Sequence, residues 1–118
     1  MLNLRWGWVG FNCGSSFGVS HNKWHYTGKA AISTINGSIG GCIAGLIYSY
    51  NKNKKLEIEP LVNSILGGLV GITGGCAFLE PWEALLIGSI VGFSAVFTMD
   101  WWEKFHVDDP VGAVSVHG

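Results

Sequence analysis

The 118-residue sequence is short of charge: it has seven Lys/Arg against eight Asp/Glu. The near balance of signs removes any electrostatic reason to expect a nucleic-acid partner. It also lacks HExxH or any comparable metal-ligand spacing, GxGxxG, a phosphate loop and a nucleophile–base pair. No metal, no cofactor and no enzymatic activity are therefore expected. Cys13, Cys42 and Cys76 each lie inside an apolar run without paired spacing, which argues against a disulfide framework or a zinc site and for small buried side chains. Solenoid repeats and low-complexity segments are absent, and the first apolar run has neither the basic start nor the cleavage site of a signal peptide.

What the sequence does have is 18 glycines, six tryptophans and long stretches without charge. The glycines sit among Ile, Leu, Val and Ala rather than Ser and Pro, so these segments can bury apolar surface and disorder is not expected. Ala30–Asn51 and Pro60–Leu79 contain no Asp, Glu, Lys or Arg, and Ala84–Met99 is a shorter run of the same kind. Between Arg5 and His21 the only ionisable side chain is Cys13, and a further uncharged run begins at Val111. A bilayer core about 30 Å thick is crossed by roughly 20 helical residues, and the two middle runs reach that length. The expected fold class is all-α, a polytopic transmembrane helix bundle of five helices at 2–20, 28–50, 60–79, 82–99 and 109–118, the first and last incomplete. Membrane lipid is then a partner by construction.

Trp6, Trp8, Trp24, Trp82, Trp101 and Trp102, with Tyr26, Tyr48 and Tyr50, fall near the ends of these runs, where amphipathic rings collect at headgroup level. If the segments alternate, Arg5, Lys52, Lys54, Lys55 and Lys104 share one side, and Lys23 and Lys29 the other. The basic excess marks the first side as cytoplasmic. Small residues four apart recur as Gly10/Gly14/Gly18, Gly37/Gly41/Gly45, Gly67/Gly71/Gly75 and Gly88/Gly92. Such spacing cuts a groove along one helix face and lets a neighbouring backbone approach closely. At the start of the fifth segment, Asp108-Asp109-Pro110 has the composition of a helix cap: an aspartate to accept backbone N–H groups and a proline whose missing N–H costs nothing in the first turn.

Two places could carry chemistry. His117 is an ionisable residue inside an otherwise uncharged run, and such a residue usually faces an interior or a water-filled path. In its neutral form an imidazole offers one donor and one acceptor, enough to pass a small polar solute or a proton. A histidine hydrogen-bonded to a neighbouring helix for structure alone would look the same. Phe11 and Ser15, four apart, share a helix face. An aromatic face attracts a cation and a hydroxyl accepts from an ammonium-type donor, although core packing accounts for the same pair. Asn12 beside them can tie its helix to a neighbour. His21, His25 and His106 sit in connections and read as solvated loop residues.

Three stretches resemble the Amt/Mep/Rh family of ammonium transporters. Trp8-Val9-Gly10-Phe11-Asn12-Cys13-Gly14-Ser15 is similar to the Trp-x-Gly-Phe-Asn-x-Gly-Ser signature of that family's sixth membrane helix. GGLVGITGGCAFL at 67–79 resembles its eighth, and DDPVGAVSVHG at 108–118 resembles the start of its tenth, on the Amt side of the family. The resemblance covers essentially the whole chain and implies a partial ammonium-transporter domain over 1–118, from the sixth helix to the start of the tenth. It further implies a multi-pass membrane location, the plasma membrane foremost, a homotrimer with one narrow pore per subunit, and ammonium or ammonia as substrate. By the same resemblance Ser15 matches the serine of the outer recruitment site, Phe11 one of two stacked gating phenylalanines, and His117 the second of twin pore histidines. The first five helices and the eleventh are absent, so the chain is expected to belong to a longer transporter and not to close a pore by itself. A non-transporting ammonium sensor on the same fold is the alternative; a membrane enzyme using His117 lacks a second catalytic group.

Overall fold

The computed structural model describes residues 2–106, 109 and 112–117. Five helices follow one another: α1 Leu2–Gly14, α2 Lys23–Asn53, α3 Ile58–Thr73, α4 Pro81–Lys104 and α5 Ala113–His117, with no strand among the described residues. The all-α bundle expected from the uncharged runs is the observed architecture, and α2 and α4 are long and apolar enough to cross a bilayer. Helix α3 is apolar but shorter.

The helix ends depart from the expected ones for local reasons. An uncharged run measures contact with hydrocarbon, whereas a helix continues into the headgroups. Helix α2 accordingly extends through Lys23 at one end and Asn53 at the other. It stops where Lys54 turns left-handed (φ 53°) and donates its N–H to the Tyr50 carbonyl. Helix α1 ends at Gly14, not near 20, because Ser16 Oγ hydrogen-bonds the Cys13 carbonyl at 2.9 Å and Gly18 adopts φ +141°, a backbone open to glycine. Helix α3 stops at Thr73, before Gly74-Gly75. Helix α4 opens on Pro81 with a reciprocal cap between Glu80 and Glu83, whose carboxylate accepts the Glu80 N–H at 2.8 Å.

Ion pairs fix the relative direction of the helices. Lys29 meets Glu80 at 2.6 Å and Lys52 meets Asp100 at 2.6 Å. Thus α2 and α4 run parallel, and α3 returns between them. These three helices hold together through absent side chains. A Cβ on Gly68 would lie 2.6 Å from the Gly37 carbonyl oxygen, and one on Gly92 would lie 2.7 Å from that of Ser64. Backbones this close leave no room for any other residue. Gly40, outside the four-residue spacing, is filled just as tightly by Ser89 and the Leu85 carbonyl. The first glycine series behaves otherwise: Gly10 and Gly14, like Gly7 before them, face open space, and Gly18, beyond the helix end, meets only the Lys23 side chain, so the glycines of α1 pack nothing in this chain.

The burial pattern is inverted relative to a soluble domain. Fully buried positions include Ser33, Thr34, Ser38, Ser49 and Ser64, while Ile32, Ile35, Ile39, Ile43 and Ile47 on α2 are exposed, as are Leu86, Ile90, Phe93 and Phe97 on α4. A contiguous apolar exterior of that size is unfavourable in water and natural against acyl chains. The buried hydroxyls find partners inside the bundle: Ser64 Oγ donates to the Gly41 carbonyl at 2.6 Å and Thr34 Oγ1 to that of Ala30 at 2.6 Å.

Two expectations are corrected. Arg5 does not sit at the cytoplasmic headgroups; its guanidinium donates to Ser38 Oγ at 2.9 Å, half-way along α2. Trp6 and Trp8, neighbours of Arg5 on the same short helix, therefore also lie well inside the bundle's height rather than at headgroup level. Side chains whose sequence position suggests an edge are carried inward because α1 starts beside the middle of α2.

Candidate functional site

Helix α1 presents two faces. One carries Arg5, Trp8 and Asn12, spaced three and four residues apart, and each makes one bond across the helix boundary. Arg5 reaches Ser38; Trp8 Nε1 donates to Thr73 Oγ1 at 2.8 Å; Asn12 Nδ2 donates to Thr34 Oγ1 at 2.9 Å, where both residues are buried. This ladder fastens α1 to α2 and α3. Asn12, read as a structural tie, occupies that position.

The other face carries Phe11, which is 64% exposed. One turn on, Ser15 donates its hydroxyl to the Phe11 carbonyl at 2.8 Å. With the proton committed to that carbonyl, the lone pairs of Ser15 Oγ remain available to accept from a donor in the space outside. That space is a cavity of about 400 Å³ where α1, α2 and the α3–α4 connection meet, lined in part by Asn12, Ser15, Ser16, Tyr26, Thr73 and Phe78. Lys23 lines the same cavity and donates to the Phe17 carbonyl at 3.2 Å. Sequence reasoning overlooked Lys23: its position in the first connection gave no sign that it turns back over the Ser15 cavity.

His117 closes the described part of α5, which packs against α3 and α4 and not on the Phe11 face of α1. Its neighbour Val116 is buried while His117 itself is exposed. The helix is started by Asp109, whose carboxylate accepts the backbone N–H groups of Ala113 at 2.8 Å and Val114 at 2.9 Å. The other two members of the expected cap, Asp108 and Pro110, lie outside the described residues. Phe11 and Ser15 are thus brought together, whereas His117 stands apart on a different helix with no bond to either. Of the remaining histidines, His25 lies in the first turn of α2, and His21 and His106 lie in connections, each with φ 57°. Among the described residues no group of His, Cys, Asp and Glu is placed to hold a metal ion.

The order of these elements, with the α1 signature, the glycine-rich α3 and the capped α5, can be compared with known proteins. The model of the Ammonium Transporter Family matches residues 1–118. The chain belongs to that family. A Caenorhabditis elegans relative named "Putative ammonium transporter 3" is 42% identical over 97% of this chain and 17% of its own length. Ammonium transporter Amt2 of Archaeoglobus fulgidus is 35% identical over 98% of the chain and 24% of its own length. In three dimensions the bundle superposes on a solved "Sensor Amt Protein" with a TM-score of 0.89 at 36% identity, covering 98% of this chain and 28% of that one. On Saccharomyces cerevisiae Mep2 the TM-score is 0.85 at 28% identity, covering 98% and 26%. The chain therefore spans between 17% and 28% of the length of these proteins.

Proposed function

We propose that the chain supplies one half of the wall of a narrow ammonium-conducting path in a multi-pass transporter. Phe11 and Ser15 lie at the outer mouth and His117 in mid-membrane. The observation that carries this reading is the arrangement at the end of α1: the Ser15 hydroxyl, its proton committed to the Phe11 carbonyl, lines a cavity one turn from the exposed Phe11 ring. Ammonium is held in that cavity by a hydrogen bond to Ser15 Oγ and then passes the exposed ring of Phe11, one turn away on α1. After passing its proton to solvent water at the outer mouth it moves on as ammonia, to which the imidazole nitrogens of His117 offer hydrogen-bond partners. K⁺ and Na⁺ cannot shed their charge, and a dehydrated lumen with few polar groups excludes them.

Three further features belong to the same proposal. The working unit is a homotrimer, it resides in the plasma membrane, and the activity is transport and not catalysis. The likeness to Amt2 and to the Caenorhabditis elegans relative, both named as ammonium transporters, supports transport, while the likeness to a protein named a sensor supports the alternative of ammonium binding without conduction. One experiment separates them: methylammonium uptake by the full-length protein containing this segment, with and without His117→Ala. Uptake that falls at least tenfold in the variant supports the pore role. Uptake equal in both counts against it, and no uptake by the unsubstituted protein favours the sensor.

A further inference from the structure

Helix α1 carries one formal charge, Arg5, and nothing in the conducting role described above uses it. Its partner Ser38 is the middle residue of the 31-residue helix α2, Lys23–Asn53. At 1.5 Å per residue the Arg5 guanidinium is therefore held about 22 Å from either end of the bundle's longest helix. Ser38 is buried and donates its own proton to the Ile35 carbonyl at 2.8 Å, so its oxygen meets Arg5 purely as an acceptor. Both ion pairs among the described residues, Lys29–Glu80 and Lys52–Asp100, lie near the helix ends and involve neither residue. A guanidinium bonded to a carboxylate has little far field; one bonded to a neutral hydroxyl keeps its full charge.

The residue before α5 is set against α3. Gly112 adjoins Asn63, whose Nδ2 would lie 3.0 Å from a Cβ added there. On α3, Gly68 lies about 7 Å along the helix from Asn63. Gly68 packs on Gly37, the neighbour of Ser38. Arg5 also lines an apolar cavity of about 240 Å³ with Trp6, Val9 and Ile35, on the side of α1 turned away from Phe11. It thus stands behind the wall and not in the mouth of the path.

We propose that Arg5 is a specificity-determining residue, a fixed positive charge set behind the wall at mid-membrane whose field raises the barrier to any permeating cation and leaves neutral ammonia unopposed. The inference rests on the conducting path proposed above. Two unit charges separated by one helix diameter, about 10–12 Å, at an effective dielectric of about 20 repel enough to change a rate roughly tenfold. Intramembrane charges are screened far less than exposed ones, so the effect persists at physiological salt.

The test uses the full-length transporter in proteoliposomes, measuring methylammonium and K⁺ flux side by side. Arg5→Gln keeps donors for Ser38 and removes the charge; Arg5→Lys keeps the charge. Expected are K⁺ flux raised roughly tenfold in Arg5→Gln, unchanged in Arg5→Lys, and methylammonium flux preserved in both. K⁺ exclusion intact in a folded Arg5→Gln protein overturns the inference, as does a protein that folds with lysine but not with glutamine, which makes the charge structural. If the unsubstituted protein moves no methylammonium, the conducting path fails, and the Arg5 inference falls with it for that separate reason.

Discussion

From Gly37 to Gly92 the glycines of α2, α3 and α4 are all closely met by the backbone or side chains of a neighbouring helix, while Gly10 and Gly14 on α1, at the same four-residue spacing, meet empty space. Gly37 and Gly88 are in mutual contact; Gly10 and Gly14 touch nothing. The three inner helices satisfy one another and form a scaffold. Phe11 on α1, Ser15 just past the end of that helix and His117 on α5 all lie on elements fastened on one side only. One sequence pattern thus marks two conditions, a finished interface and an open one, and the residues with chemical potential sit on the helices with open faces.

Substitution at equivalent glycines sharpens that contrast most. Gly88→Val sets branched carbons against the Gly37 backbone. Backbone cannot yield as a side chain can, so the cost exceeds the roughly 1–3 kcal/mol usual for overpacking. No folded protein is expected from detergent extracts assayed by thermal unfolding. Gly7→Val, at an open position, is expected to leave the same transition within a few degrees. Equal damage at both sites would show that the α1 groove is filled by a segment beyond this chain.

Smaller effects come from the α1 ladder. Asn12→Ala leaves Thr34 Oγ1 still bonded to the Ala30 carbonyl, so only one interhelical bond is lost. Such bonds average about 0.6 kcal/mol in membrane helices, and a small drop in thermal midpoint without loss of the α2–α4 core is expected. Lys23 sharpens the comparison from the functional side. Its ammonium lines the Ser15 cavity, where it opposes an arriving cation, so Lys23→Gln is expected to improve apparent methylammonium affinity a few-fold at low salt and less at high salt. The smallest effect belongs to the scaffold rim: Lys29→Ala breaks the partly exposed pair with Glu80, and exposed pairs contribute about 0–1 kcal/mol. Its thermal shift should shrink further as ionic strength rises.

These contrasts also show what the sequence reveals and what it hides. Five helices are legible because charge avoids hydrocarbon, and the Asp109 cap because short carboxylates accept backbone N–H groups. Helix lengths are less so: Lys23 to Lys29 and Lys52 are helical although charged, since headgroups solvate them. Gly40 escaped the four-residue pattern because two helices cross there from an adjoining face. Arg5 misled most. A lone arginine beside an apolar run reads as a membrane-edge anchor until its helix is found to start at the waist of α2, and such a tertiary offset leaves no trace in local pattern. Phe11 and Ser15 stand out through a shared motif, while the Lys23 that overlooks their cavity belongs to no motif at all.

The most direct examination is thiol accessibility in the full-length protein with Cys13, Cys42 and Cys76 replaced by alanine. Single cysteines are placed at His117, at Ser15 and at the outward-facing Ile39. With a small water-borne thiol reagent, Ser15→Cys and His117→Cys should react, more slowly when ammonium is present, and Ile39→Cys should stay unmodified. Rapid labelling at position 39 together with an inert position 117 would contradict both the lipid-facing exterior and the inward-looking imidazole.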